Sequence, residues 1–136
     1  MRRTAGALLA EPRLVYASPM FEPKFIEHRG ARILHLDFTG LSLPELVSAF
    51  DRAHRLILTE APRSLRIFTT LNSPLTRESA EALKQYGLSN RGLVRASAVV
   101  GASFWKVIVT FLQTHGREDL QLFDDEASAL DWLSGT

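Results

Sequence analysis

His35 and Asp37, in the stretch ARILHLDF, are the titratable side chains most nearly placed to share a proton. Two positions apart on a strand, they project from the same face. A carboxylate can orient an imidazole for general-base work, but a lone strand histidine followed by a loop-ordering aspartate is the plainer expectation. The other histidines, His28, His54 and His115, stand at no spacing that gathers metal ligands, so no metal site is expected. With no cysteine in the chain, disulfides, thiolate nucleophiles and cysteine-based zinc sites are excluded. G-x-S-x-G, P-loop and G-x-G-x-x-G motifs are absent. Ser73 and Thr76, in TTLNSPLTRESAEAL, place hydroxyls at the start of a helix, where the helix end favours an anion. Gly101 in AVVGAS is a weak sign of phosphate binding, because an anion nest needs several converging N–H groups. No nucleophile, base and orienting group can be placed together. The expectation is a protein without catalysis and without a cofactor.

These residues depend on elements that the hydrophobic pattern predicts. KFIEHRGARILHLDF reads as two strands joined at Arg29-Gly30. Ser42 and Glu45 form a capping box with Pro44 in the first turn, and Leu43, Leu46, Val47, Phe50, Ala53 and Ile57 make one helical face that Pro62 closes. SLRIFTTL is a strand, and RESAEALKQYG a helix ending at Gly87. RASAVVG is a third core strand. Gly101-Ala102 turns the chain, and Ser103 caps a helix that Gly116 stops. DLQLF is a last strand, and DDEASALDWL a short helix capped by Asp124. The order β-β-α-β-α-β-α-β-α predicts an α/β fold with a small, mostly parallel sheet, right-handed crossovers and flanking helices.

Loops at the carboxyl ends of strands form ligand crevices in open α/β sheets. That rule nominates Asp37 to Gly40, Asn72 to Thr76 and Gly101 to Ser103. Phe104, Trp105, Val107, Ile108, Val109, Phe111 and Leu112 make the helix after Ser103 apolar over more than the ordinary stripe of about 100°. Part of it faces the sheet. The remainder, assigned to Trp105, Val109 and Leu112, needs cover from neighbouring helices, a partner or an apolar ligand.

The chain has 136 residues and a formal net charge of +1, a length that supports one hydrophobic core. Residues 1–20 carry +2, and six acids without a base follow from Glu118 onward. No basic cluster suits nucleic acid. In the leader MRRTAGALLAEPRLVYASPM the apolar stretch Ala5 to Ala10 is six residues. That is short of the roughly 7–15 of a secretory core and the roughly 20 of a membrane span. Residues 1–20 are therefore expected to be a loose tail, with Met20 an alternative start, ahead of one domain over 21–136. No membrane span is expected, and the cytoplasm is the expected compartment.

ARILHLDFTGL, RASAVVGASFWKVIVTFL and LFDDEASALDWL, in this order, resemble small bacterial domains of the SpoIIAA-like type, also described as STAS- or Sec14-like. The resemblance implies a regulatory module that binds partner proteins such as anti-sigma factors and has no catalysis of its own. It also implies a serine switched by phosphorylation in an Asp-Ser-Ser-Gly-like motif. The corresponding turn here keeps Ser73 and Thr76 but lacks the acid and the glycine. Self-association into a homodimer is a further expectation. The alternative is a small-molecule binder, by analogy a lipid-like one, using the crevice of Asp37, Asn72 and Gly101.

Overall fold

The structure is a computed structural model that describes residues 21–136. The expectations for residues 1–20 and for Met20 lie outside the described residues. Strand β1 (Lys24–His28) turns back through Arg29 and Gly30 into β2 (Ala31–Asp37). Both turn residues have positive φ, 51° and 81°, the backbone twist that a two-residue hairpin needs. Helix α1 (Leu43–Leu58), strand β3 (Arg66–Leu71), helix α2 (Arg77–Ser89) and strand β4 (Ala96–Gly101) follow. A 3₁₀ turn (Ser103–Trp105) then leads into α3 (Lys106–Thr114), β5 (Leu120–Phe123) and α4 (Glu126–Ser134). No helix among the described residues is long and apolar enough to cross a membrane.

The five strands lie side by side in chain order, β1-β2-β3-β4-β5. The first pair is antiparallel and the others are parallel. This is the predicted α/β architecture, with four helices among the described residues flanking a mostly parallel sheet. Alternation along each strand divides the core in two. Leu34, Leu36, Ile67, Leu71, Val99 and Leu120 face α1, α2 and α3. Ala31, Ile33, Phe68, Ala96 and Ala98 face α4, which meets them with Ala129, Leu130 and Leu133.

The capping box of α1 forms as predicted: the Glu45 N–H donates to Ser42 Oγ at 3.3 Å, and the Ser42 N–H donates to Glu45 Oε1 at 2.8 Å. Three boundary readings are corrected. Helix α2 runs through Gly87 to Ser89, with Asn90 at its C-cap, because Leu112 packs directly on the glycine. Asp125, not Asp124, caps α4, its carboxylate accepting from the Ser128 N–H at 2.8 Å. Ser103 makes no capping bond. Ala102 holds the cap position, and the turn closes through the Trp105 N–H to the Ala102 carbonyl at 3.0 Å.

Gly101 is the last residue of β4, paired with Leu71 of β3. A Cβ there would lie 2.5 Å from the Leu71 carbonyl oxygen, a backbone atom that cannot step aside. At Gly87 the corresponding clash is with the Leu112 methyl groups at 2.6 and 2.7 Å, on a side chain that can rotate. Gly101→Ala is therefore expected to cost about 2 kcal/mol by backbone displacement. Gly87→Ala should cost less, because alanine gains about 1 kcal/mol of helix propensity. Urea midpoints of the two variants check the order.

Helix α4 is tied to the hairpin by Asp131, which accepts from His28 Nε2 at 2.8 Å. That hydrogen bond, opposed by burial and helped by the Arg29 charge, holds the Asp131 carboxyl below its ordinary value of 3.8. A carboxyl with a lowered folded-state pKa adds stability above its unfolded pKa and loses it as pH falls through the folded value. The acid limb of the stability–pH curve, below about pH 4, should therefore flatten in Asp131→Asn. Thermal melts from pH 2 to 7 give the measurement.

Candidate binding groove between α1 and α2

The residues singled out from the sequence occupy capping and loop positions. Asp37 is exposed at the end of β2, and its carboxylate accepts from the Thr39 N–H at 3.0 Å. His35 shares the Asp37 face, but its ring stacks on Phe68 at 4.8 Å and its Nε2 lies 3.3 Å from Thr70 Oγ1. Ser73 is buried, its hydroxyl donating to the Phe38 carbonyl at 3.1 Å. Thr76 caps α2: its Oγ1 accepts from the Ser79 N–H at 3.0 Å, and its own N–H donates to Ser79 Oγ at 2.8 Å. Ser73 and Thr76 share a recess of about 150 Å³ with Leu41, Ser42, Leu46 and Ser79. Asp37, Asn72, Gly101 and Ser103 do not line it.

The strand order accounts for that separation. A crevice opens where neighbouring strands send their helices to opposite faces. The loops after β2, β3 and β4 all lead to the same face, so the rule opens no crevice among these three; the helices part only between β4 and β5, where α3 and α4 take opposite faces.

The proposed contact surface on α3 is corrected. Trp105 is 0% exposed, and Val109 and Leu112 are also buried in the core. The outward side of the segment carries Phe104 and Val107, 48% and 72% exposed. Trp105, Ile108, Val109 and Leu112 stand at i, i+3, i+4 and i+7, so helical periodicity sets these four together on the core side and leaves Phe104 and Val107 outward.

A concavity with an apolar floor lies between α1 and α2. Val47, Phe50, Asp51 and His54 form one wall, at helical spacings of three and four, and Glu78, Glu81, Ala82, Gln85, Tyr86 and Ser89 form the other. The groove encloses about 520 Å³. Its floor is the parallel stack of Phe50 on Tyr86, centroids 4.6 Å apart at 9°. Phe38 supports both rings edge-on at 4.8 and 6.1 Å, and Phe21 stacks on Phe38 at 5.0 Å. Val47 stands 50% exposed on the rim. Three carboxylates and no lysine or arginine line the groove.

A buried polar layer fixes the groove from below. Arg117 is 4% exposed. It donates through Nη1 to the Gly87 carbonyl at 2.9 Å, through Nη2 to Ser97 Oγ at 3.0 Å, and through Nε and Nη2 to the two Asp119 oxygens at 2.9 and 2.8 Å. His54 Nδ1 lies 2.7 Å from Asn90 Oδ1. Burial raises the Tyr86 phenol above its ordinary 10.0, only partly offset by Arg117 and by the hydrogen bond with Asn90. The phenol therefore stays protonated at neutral pH. A cavity of about 40 Å³ lies beside Tyr86, Asn90, Ser97 and Arg117, with Ile67, Leu71, Val99 and Leu120 completing a mainly apolar wall.

Truncating Trp105 to alanine should cost about 3–5 kcal/mol, as for a large core aromatic. Val107→Ala should stay within about 0.5 kcal/mol, as for a surface change. Equilibrium denaturation of both variants checks which side of the segment is structural.

No protein-family model matches the sequence, and no curated protein matches it either. Among solved structures, an uncharacterised protein of the DUF3478 family from Shewanella loihica PV-4, described as having a SpoIIAA-like fold, superposes with a TM-score of 0.56. It is 15% identical, and the match covers 87% of this chain and 98% of that one. The likeness is one of architecture: the chain has a SpoIIAA-like fold.

Proposed function

We propose that the protein is a regulatory interaction module that binds a partner protein in the α1–α2 groove and performs no chemistry of its own. The observation that carries this reading is the apolar trough itself: Val47 stands half exposed on its rim, and Ala82 and Tyr86 are partly exposed along its other wall above the buried Phe50 ring. Exposed apolar surface rimmed by polar residues marks interaction sites, and aromatic residues concentrate the binding energy of interfaces. The groups best suited to chemistry have structural work: Ser73, Thr76 and Asp37 satisfy backbone atoms. A phosphate on Ser73 would have to displace its bond to the Phe38 carbonyl, so regulation by that route requires the β3–α2 turn to open.

A second reading rests on volume. About 520 Å³ lies within the range of small-molecule sites. Such sites cover 70–90% or more of their ligand, whereas this groove is open along its length. A partner's side chains suit an open trough better than a free ligand does.

A photo-crosslinking amino acid at Ala82, with Gln121 on the far edge strand as control, tests the proposal in cells. One identified partner should crosslink at position 82 and not at 121. With that partner purified, Ala82→Trp should weaken binding by about tenfold or more, roughly 1.4 kcal/mol, without changing the melting temperature. Equal crosslinking at both positions, or unchanged affinity in Ala82→Trp, overturns it. A small molecule retained in the native mass spectrum of wild type and lost in Ala82→Trp would establish the second reading instead.

A further inference from the structure

The chemistry of the groove also specifies what kind of segment it takes. Resting on the interaction-module reading, we infer that the partner segment is a positively charged amphipathic α-helix. Both walls are helices, and a third helix can set its ridges into the trough between them. An extended peptide would find no strand edge there, and its backbone N–H and C=O groups would go without partners. The α2 wall runs from Glu78 to Ser89, about 16 Å at 1.5 Å per residue. That length takes three turns of helix, with anchors at i, i+3 or i+4, and i+7 over Phe50, Ala82 and Tyr86.

Charge selects the flank of that helix. Asp51, Glu78 and Glu81 line the groove, and Glu78 has no ion-pair partner among the described residues. Arg55 pairs with Asp51, and Lys84 Nζ lies 3.8 Å from Glu81, but neither cation lines the groove. Lys84 Nζ also sits 4.9 Å over the Phe111 ring, on the α3 side of α2. His54 is held by Asn90. Lysines or arginines beside the apolar stripe of an incoming helix would meet carboxylates, and acidic residues there would meet like charge.

Three synthetic helical peptides of about 16 residues, with the same leucine stripe and with lysine, glutamine or glutamate flanks, provide the test. Binding to the full chain is read by fluorescence anisotropy, and the site by amide chemical shifts. The lysine peptide should bind about tenfold tighter than the glutamine peptide. Its shifts should fall on residues 47–54 and 78–89, and its advantage should vanish at high salt and in the Glu78→Gln/Glu81→Gln double variant. Equal affinities within the groove would overturn the charge assignment and leave the interaction module standing. A preference for the glutamate peptide overturns it as well. Failure of every peptide, when an identified partner still crosslinks at position 82, would overturn the helical occupant alone. Shifts confined to other faces would overturn both this inference and the groove.

Discussion

Parallel strands laid side by side in chain order decide which face their connecting helices occupy. Right-handed crossovers are the rule between parallel strands, and applied to strands in chain order the rule delivers successive helices to one side of the sheet, where α1, α2 and α3 are found. Only α4, which has no further strand to reach, is free to cover the opposite side. The groove is a product of this constraint. Two helices on adjacent crossovers stand side by side, and the trough between them is as deep as the side chains at its base allow. Phe50 and Tyr86 make that base, and Phe38, just past the end of β2, supports it from the sheet.

The same constraint explains why the carboxyl ends of the strands look unlike a ligand crevice. Three successive loops turn the same way, and the first two are joined by the Ser73 hydroxyl on the Phe38 carbonyl. The hydroxyls and the carboxylate of those first two are absorbed in starting helices and ordering turns: Ser42 for α1, Ser73 and Thr76 around α2, and Asp37 ahead of Thr39. Their chemistry is used to satisfy backbone groups that would otherwise be orphaned.

The element order and the hairpin were legible because each rests on local signals: strand alternation, the Arg29-Gly30 turn and the Ser42–Glu45 box. The α3 surface was misread because the segment carries two apolar stripes, Trp105, Ile108, Val109 and Leu112 on one side and Phe104, Val107 and Phe111 on the other, and composition does not say which one meets the sheet. The stripe with the indole takes the core, and the other keeps Phe104 and Val107 in solvent. The groove was half legible. Val47 and Phe50 stood on the predicted apolar face, and that face was wider than the sheet needed, since Leu43 and Val47 remain exposed. Tyr86 and Ala82 gave no comparable signal, because their helix is weakly amphipathic and its partner is 36 residues away in sequence. Arg117 was missed for the same reason: a buried cation becomes recognisable only when Gly87, Ser97 and Asp119 are brought to it in space.

Arg117 gives one groove wall a particular mechanical character. It grips the carbonyl of Gly87 near the C-terminal end of α2, while the reciprocal bonds of Thr76 and Ser79 hold the other end. Clamped at both extremities, the helix behaves as a beam instead of a flap. A visitor meets a wall already in its final shape, so little conformational freedom is surrendered on docking. Discrimination between visitors would then show mainly in how long each one stays.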